Sequence, residues 1–179
     1  SKLAITLSQF YNKFESLKGK THLEKVVVAK IGEVLPPVKS FAYKFIGHEP
    51  KVVNDPWVIS WGDFLNNSKD CCEDVLFEGR GDDDAVILFS GGTTGTSKGI
   101  LLTNLNFNAL AMQTVAASGC FEAGDTMISV MPVFHGFGLG VGIHTMLSSG
   151  GKCVLVPQLK VAEFPGLFKK HKPNYMAGV

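Results

Sequence analysis

From residue 85 onward, short apolar runs alternate with helical patterns, and a chain obeying that alternation has few architectures open to it. Ala85 to Phe89 reads as a strand, and Gly99 to Leu102 as a second short one. A helix is expected from Asn104 to Ser118, with Leu105, Ala109, Met112 and Ala116 on one face and Gly119 closing it. Thr126 to Met131 is a strand, Phe134 to Leu147 a glycine-rich helix, and Lys152 to Val156 another strand. Glu163 to His171 forms a helix whose Pro165 fits the first turn, and Asn174 to Val179 starts one more strand. Strands separated by helices imply an α/β fold: a doubly wound, mainly parallel sheet covered on both faces.

The first eighty residues are less regular. Leu3, Leu7, Phe10, Phe14 and Leu17 are spaced by four or three, which predicts one helical stripe stopped at Gly19. Lys25 to Ile31 is a valine-rich strand, Pro36-Pro37 punctuates, and Val38 to Phe45 is a short helix. Ser60 with Asp63 three residues on resembles a capping box. The chain opens directly in the expected amphipathic helix and stops inside an apolar strand, so a piece of a larger domain is expected.

Composition narrows the function. Seventeen basic against sixteen acidic side chains give a formal charge of +1 over 179 residues, and no basic stripe suggests a nucleic-acid partner. Hydrophobic residues reach 45% and charged ones only 18%, which excludes disorder. The spacing of Cys71, Cys72, Cys120 and Cys153 fits no zinc pattern; reduced thiols in a cytoplasmic protein are expected, and no secretory signal opens the chain. Thr126 to Gly151 holds no Lys, Arg, Asp or Glu and is long enough for a membrane span. Pro132, His135, His144 and alternating glycines interrupt it, so strand, turn and buried helix are expected instead. Asp82-Asp83-Asp84 reads as a solvated turn, because adjacent side chains on an extended chain point apart, and no metal ligand is assigned in this chain.

The chemistry concentrates in Phe89-Ser90-Gly91-Gly92-Thr93-Thr94-Gly95-Thr96-Ser97-Lys98-Gly99, directly after an apolar strand. Gly91, Gly92 and Gly95 let backbone amides close around an anion. Ser90, Thr93, Thr94, Thr96 and Ser97 add hydroxyl donors, and Lys98 supplies a positive charge. These parts suit phosphate. A Walker A loop is excluded because Ser97 precedes Lys98 and Gly99 follows it; a dinucleotide fingerprint is excluded by the glycine spacing. The plain alternative is a flexible linker of small polar residues, although a linker gains nothing from a lysine at its end.

The run Ser90 to Gly99 resembles the phosphate-binding signature of the adenylate-forming superfamily, which includes acyl-CoA synthetases, coumarate-type ligases, luciferase-like enzymes and peptide-synthetase adenylation domains. It departs at Ser97, where proline is common. Met131-Pro132-Val133-Phe134-His135-Gly136-Phe137-Gly138 is similar to the family's Pro-x-Phe-His segment, and Leu102-Thr103-Asn104-Leu105-Asn106 to its Leu-Thr-His-x-Asn, with Asn104 replacing the histidine and given no role. The double-proline stretch and the Phe-Ser-Gly-Gly form of the loop lean toward long-chain acyl-CoA ligases. The resemblance implies part of a large amino-terminal domain, with residues 82–179 carrying the ATP-phosphate loop and the acyl and CoA segment, and with the carboxy-terminal domain absent.

What the resemblance implies for the site follows. ATP phosphates would be held by Ser90, Gly91, Gly92, Thr93, Thr94, Gly95, Thr96 and Lys98, with Lys98 and His135 catalytic. Phe134, His135, Gly136 and Gly140 would border the substrate pocket, with His135 alternatively just capping a helix and His144 structural. Gly136, Gly138, Gly140 and Gly142 each cost about 1 kcal/mol relative to alanine in a helix. They would either make room for an acyl chain or pack a helix closely on a sheet. The implied reaction is ATP-dependent formation of an acyl-adenylate from a carboxylic, fatty acid, then of a CoA thioester. Mg2+ would be bound by residues outside this chain, and these residues alone would not turn over. The alternatives are amino-acid activation for a carrier protein and non-catalytic nucleotide binding.

Overall fold

The computed structural model describes residues 1–46, 50–69, 78–91 and 95–178. They fall into two compact units, Ser1–Leu76 and Phe77–Val179.

In the first unit, strands β1 (Leu3–Leu7), β2 (Lys25–Ala29) and β3 (Val58–Ser60) form a parallel sheet in that order. The central strand buries Val26, Val27 and Val28 in succession, the pattern of a strand covered on both faces. Tyr11 of helix α1 (Tyr11–Glu15) and Trp57 join Val26 and Val28 in the core. The Trp57 indole N–H donates to the Leu23 carbonyl at 3.1 Å. Asp55 accepts from the Trp57 backbone N–H at 2.8 Å and pairs with Lys18. Helices α2 (Ile31–Val34), α3 (Pro37–Ile46) and α4 (Trp61–Asn67) complete the unit. Ser60 caps α4 as expected, accepting the Asp63 N–H at 3.0 Å.

The expected opening helix is not formed. Leu3–Leu7 is a strand, followed by a 3-10 turn at Ser8–Phe10, and only Tyr11–Glu15 is helical. Leu3, Ile5 and Leu7 also satisfy a period of two, and the ladder to β2, with Ile5 opposite Val27, decides between the periods. Pairing across 22 positions overrides local spacing.

In the second unit, β4 (Asp84–Ser90) and β5 (Lys98–Thr103) form an antiparallel pair. The sheet β7-β6-β8 is parallel, with β6 (Thr126–Ser129) between β7 (Lys152–Leu155) and β8 (Tyr175–Ala177). All four β6 side chains are buried. Helix α5 (Asn104–Ser118) has its expected bounds: Thr103 and Asn106 form a capping box, and Gly119 turns left-handed at φ 62°. Its buried face differs from expectation. Ala111 is buried while Leu105 and Met112 are exposed, because the helix turns Ala111 rather than that stripe inward. A helical stretch follows β6: α6 (Gly136–Leu139), a π turn at Gly140–Thr145, and α7 (Met146–Ser148). Helix α8 (Phe164–His171) has Pro165 in its first turn. The Tyr175 hydroxyl ties β8 down by donating to Asp125 Oδ2 at 2.9 Å; the Cys120 carbonyl is also in its reach.

The α/β class with parallel sheets stands as expected. Among the described residues no helix is long and apolar enough to cross a membrane. The Asp82–Asp84 stretch enters β4 through a turn, with Asp83 accepting the Arg80 backbone N–H at 2.7 Å and Asp82 paired to Arg80 at 3.3 Å.

Candidate functional site

The phosphate-type loop links two antiparallel neighbours, not two parallel strands. A connection this short, without a crossover helix, can join only antiparallel strands, and that spacing was visible in the sequence. Ser90 ends β4 and Lys98 opens β5 directly opposite it in the ladder. The Ser97 hydroxyl donates to the Ser90 carbonyl at 3.1 Å and closes the base of the loop.

Gly91, Gly95, Thr96 and Lys98 are exposed and Ser90 is half-buried; Gly92, Thr93 and Thr94 lie outside the described residues. Gly95 has φ +80°, a conformation other L-residues adopt at a cost, and a Cβ at Gly91 or Gly95 would meet nothing within 4 Å. These glycines serve backbone freedom and open space. Among the described residues no carboxylate pairs with Lys98. The hairpin thus presents an ammonium, hydroxyls and a left-handed glycine to solvent, a donor set matched to an anion.

The second segment stands beside the first. A Cβ on Gly136 would lie 3.5 Å from Leu88 Cδ1, two residues before Ser90, so β4 runs against the start of α6. His135 is the N-cap of that helix: its Nδ1 accepts the Phe137 backbone N–H at 3.2 Å. An accepting Nδ1 leaves the proton of a neutral imidazole on Nε2, and the ring is exposed. The capping alternative for His135 is therefore realised, and it fixes which nitrogen stays free for other work. Phe134, 77% exposed, lines an apolar pocket of about 370 Å³ together with Ser129, Met131, Pro132, Leu155 and Pro157. This pocket sits at the carboxyl ends of β6 and β7, where parallel sheets gather ligands. Its β7 wall went unrecognised in the sequence; the signal was two adjacent parallel strands ending together.

His135, Gly136 and Gly140 do not line that pocket. Gly140 is buried, and a Cβ there would come to 2.5 Å from Leu110 Cδ2. For Gly140 the reading as open pocket surface is corrected: it lets the π turn lie on α5. Gly138 is tighter still, since a Cβ would stand 2.8 Å from the Pro132 carbonyl carbon and closer to its oxygen. Gly142 packs on Ser129, whose hydroxyl donates to the Gly142 carbonyl at 2.5 Å. A π turn leaves a carbonyl without its usual helical partner, and Ser129 with the Cys153 thiol at 3.3 Å satisfies it. Burial raises the Cys153 thiol pKa above its ordinary value. His144 is structural as read, meeting Asn108 Oδ1 at 3.0 Å and the Phe107 ring edge-on. Asn104 has a structural part too, donating to the Arg80 carbonyl at 2.9 Å.

Residues 16–179 match the model of AMP-binding enzymes. Over 174 residues the chain is 31% identical to the probable 4-coumarate–CoA ligase 3 of Dictyostelium discoideum, covering 95% of this chain and 30% of that protein. It is 24% identical to a long-chain-fatty-acid–CoA ligase of Bacillus subtilis, covering 97% of this chain and 32% of the relative. The crystal structure of ATP-bound MatB from Rhodopseudomonas palustris shares the fold with a TM-score of 0.67 at 19% identity, covering 99% of this chain and 29% of that one. The chain thus spans about a third of the length of the curated relatives it matches.

Proposed function

The chain belongs to the AMP-binding enzyme family, and from that premise we propose that it is the part of an ATP-dependent acid–thiol ligase that grips the ATP phosphates and borders the acid. A carboxylate attacks the α-phosphorus of ATP, giving acyl-adenylate and pyrophosphate; a thiol, that of CoA, then displaces AMP. ATP supplies the activated phosphoryl group. The chain's own residues supply position and charge. Ser90, Thr96 and Lys98 offer hydroxyls and an ammonium to the β- and γ-phosphates, with Gly91 and Gly95 giving open backbone, and the motif assigns Gly92, Thr93 and Thr94 to the same task. Lys98 stabilises charge on the departing pyrophosphate. His135 holds its Nε2 proton free at the start of α6 to meet the acid or its adenylate, beside Gly136. Among the described residues no cluster of three His, Cys, Asp or Glu side chains could hold a metal, so no step is assigned to magnesium here.

The observation that carries this reading is the pairing of an exposed anion loop on β4 with an apolar pocket walled by Phe134, one helix start away. A volume of about 370 Å³ with apolar walls suits an apolar acid. The relatives are named for 4-coumarate and for long-chain fatty acids, and we take a fatty acid as the substrate. The free thiols of Cys120 and Cys153 fit a reducing cytoplasm, where we place the reaction.

The test is acid-dependent exchange of pyrophosphate into ATP by a ligase of the relatives' full length carrying these residues. Exchange should rise with apolar acid length, and Phe134→Ala should shift the preferred length. Exchange with amino acids alone would transfer the chain to carrier-loading adenylation, and ATP binding without exchange would make it a non-catalytic module. Residues 1–179 by themselves should not turn over.

A further inference from the structure

Among the described residues that line the apolar pocket, Ser129 is the one with a polar side chain, and its hydroxyl is engaged elsewhere. Buried at the end of β6, it donates its single proton to the Gly142 carbonyl at 2.5 Å. A hydroxyl so engaged has no proton left for a ligand. What the bond does is close a segment: residues 130–141 leave β6 at Ser129 and come back to it at the π turn. That segment holds Val130 to Phe134, which form one side of the pocket, and His135 at the start of α6. The His135 N–H donates to the Pro132 carbonyl at 3.0 Å, and the Leu139 N–H to the His135 carbonyl at 2.9 Å. Pocket wall and helix start are thus hydrogen-bonded into one piece.

The turn that Ser129 grips is itself held by side chains. The buried Thr145 hydroxyl donates to the Gly140 carbonyl at 3.0 Å, and the Cys153 thiol of β7 reaches the Gly142 carbonyl at 3.3 Å. A π turn inserts a residue into a helix and so resets the rotational phase of one side against the other. Downstream, the fully buried Met146 anchors α7. The phase of α6, with Gly136 toward Leu88 and Gly138 on the Pro132 backbone, is therefore taken from the turn. We propose that Ser129 is a positioning residue: by clasping the Gly142 carbonyl to the end of β6 it sets Phe134 and His135 about the pocket and so governs which acids fit. The effect on acids rests on the ligase reading; the clasp itself does not.

The test is Ser129→Ala in the full-length ligase. Cys153 still partners the Gly142 carbonyl, so no buried group is orphaned and the melting temperature should stay within a few degrees of wild type. The KM for a fatty acid should rise about tenfold and the preference among chain lengths should flatten. The KM for ATP, which meets the β4–β5 hairpin, should stay within about twofold. Cys153→Ala, which leaves the Ser129 bond in place, should keep the wild-type length preference. Amide hydrogen exchange gives a readout without turnover: the His135 and Leu139 amides should exchange about tenfold faster in Ser129→Ala, and those of the β4–β5 pair at the wild-type rate. An unchanged acid KM, equal rises for acid and ATP, a Cys153→Ala protein altered as strongly as Ser129→Ala, or unchanged exchange at His135 and Leu139 would each overturn the proposal. Wild-type protein without acid-dependent pyrophosphate exchange would instead overturn the ligase reading and the effect on acids with it, and amide exchange would still decide the clasp.

Discussion

The glycines of the β4–β5 hairpin and those of the β6–β7 connection are the same residue put to opposite uses. Gly91 and Gly95 face open space, and Gly95 needs its missing side chain for a left-handed backbone. Gly138, Gly140 and Gly142 are buried in right-handed helical or π conformation and need no unusual φ; what they need is contact with the Pro132 backbone, Leu110 and Ser129. One region leaves its surface open, and the other gives its surface up to packing. Glycine content therefore does not by itself mark a binding loop; the neighbours of the absent Cβ do.

The largest effect that could break this contrast is on Gly138. Gly138→Ala drives a methyl into backbone that cannot rotate away, and should destabilise the second unit by about 3 kcal/mol in denaturant titration. A loss no greater than that of an exposed substitution would remove the packing half of the comparison. Gly95→Ala should cost only about 1 kcal/mol, through its positive φ, while impairing pyrophosphate exchange. Gly91→Ala should change stability by less than about 0.5 kcal/mol.

The packed region also carries a pH signature. Burial, followed by the Asp125 carboxylate, pushes the Tyr175 phenol well above its ordinary 10.0. The folded state then keeps a proton that the unfolded chain releases. The contribution is whole below pH 10 and is lost as pH rises toward the folded value. Alkaline unfolding should start near pH 10 and move upward in Tyr175→Phe. In the first unit the sign reverses: Lys18 and the Trp57 amide hold the Asp55 carboxyl below its usual range. That contribution is present above about pH 4 and disappears as pH falls through the depressed folded value. Acid unfolding monitored by Trp57 fluorescence should be less steep in Asp55→Asn.

Several elements in both units were legible because their signals are local. Gly119 at the end of α5, Pro165 at the start of α8 and the valine run of β2 each act on neighbouring backbone, and those elements formed where they were read. The opening strand was not legible, since Leu3 to Leu7 supports two periods and only the distant Val26–Ala29 ladder chooses one. The buried face of α5 was missed for a related reason: its stripe of Leu105 and Met112 is more apolar than the face centred on Ala111, but closeness to the π turn favours small residues there. In the site, motif residues stood out by type, whereas Leu155 and Pro157 entered the pocket only through strand order. The role of Gly140 turned on Leu110, thirty positions away.

The central claim is that the β4–β5 bend binds the phosphates of ATP through Lys98 and its companions. The most direct measurement is the rate of pyrophosphate exchange by Lys98→Ala in the full-length ligase, read beside its melting curve. Lys98 is exposed and opens a strand already tied by Ser97, so the melt should not move. Exchange should fall about a hundredfold, the loss expected for one preorganised charge stabiliser. Wild-type exchange from a fully folded Lys98→Ala protein would contradict the assignment.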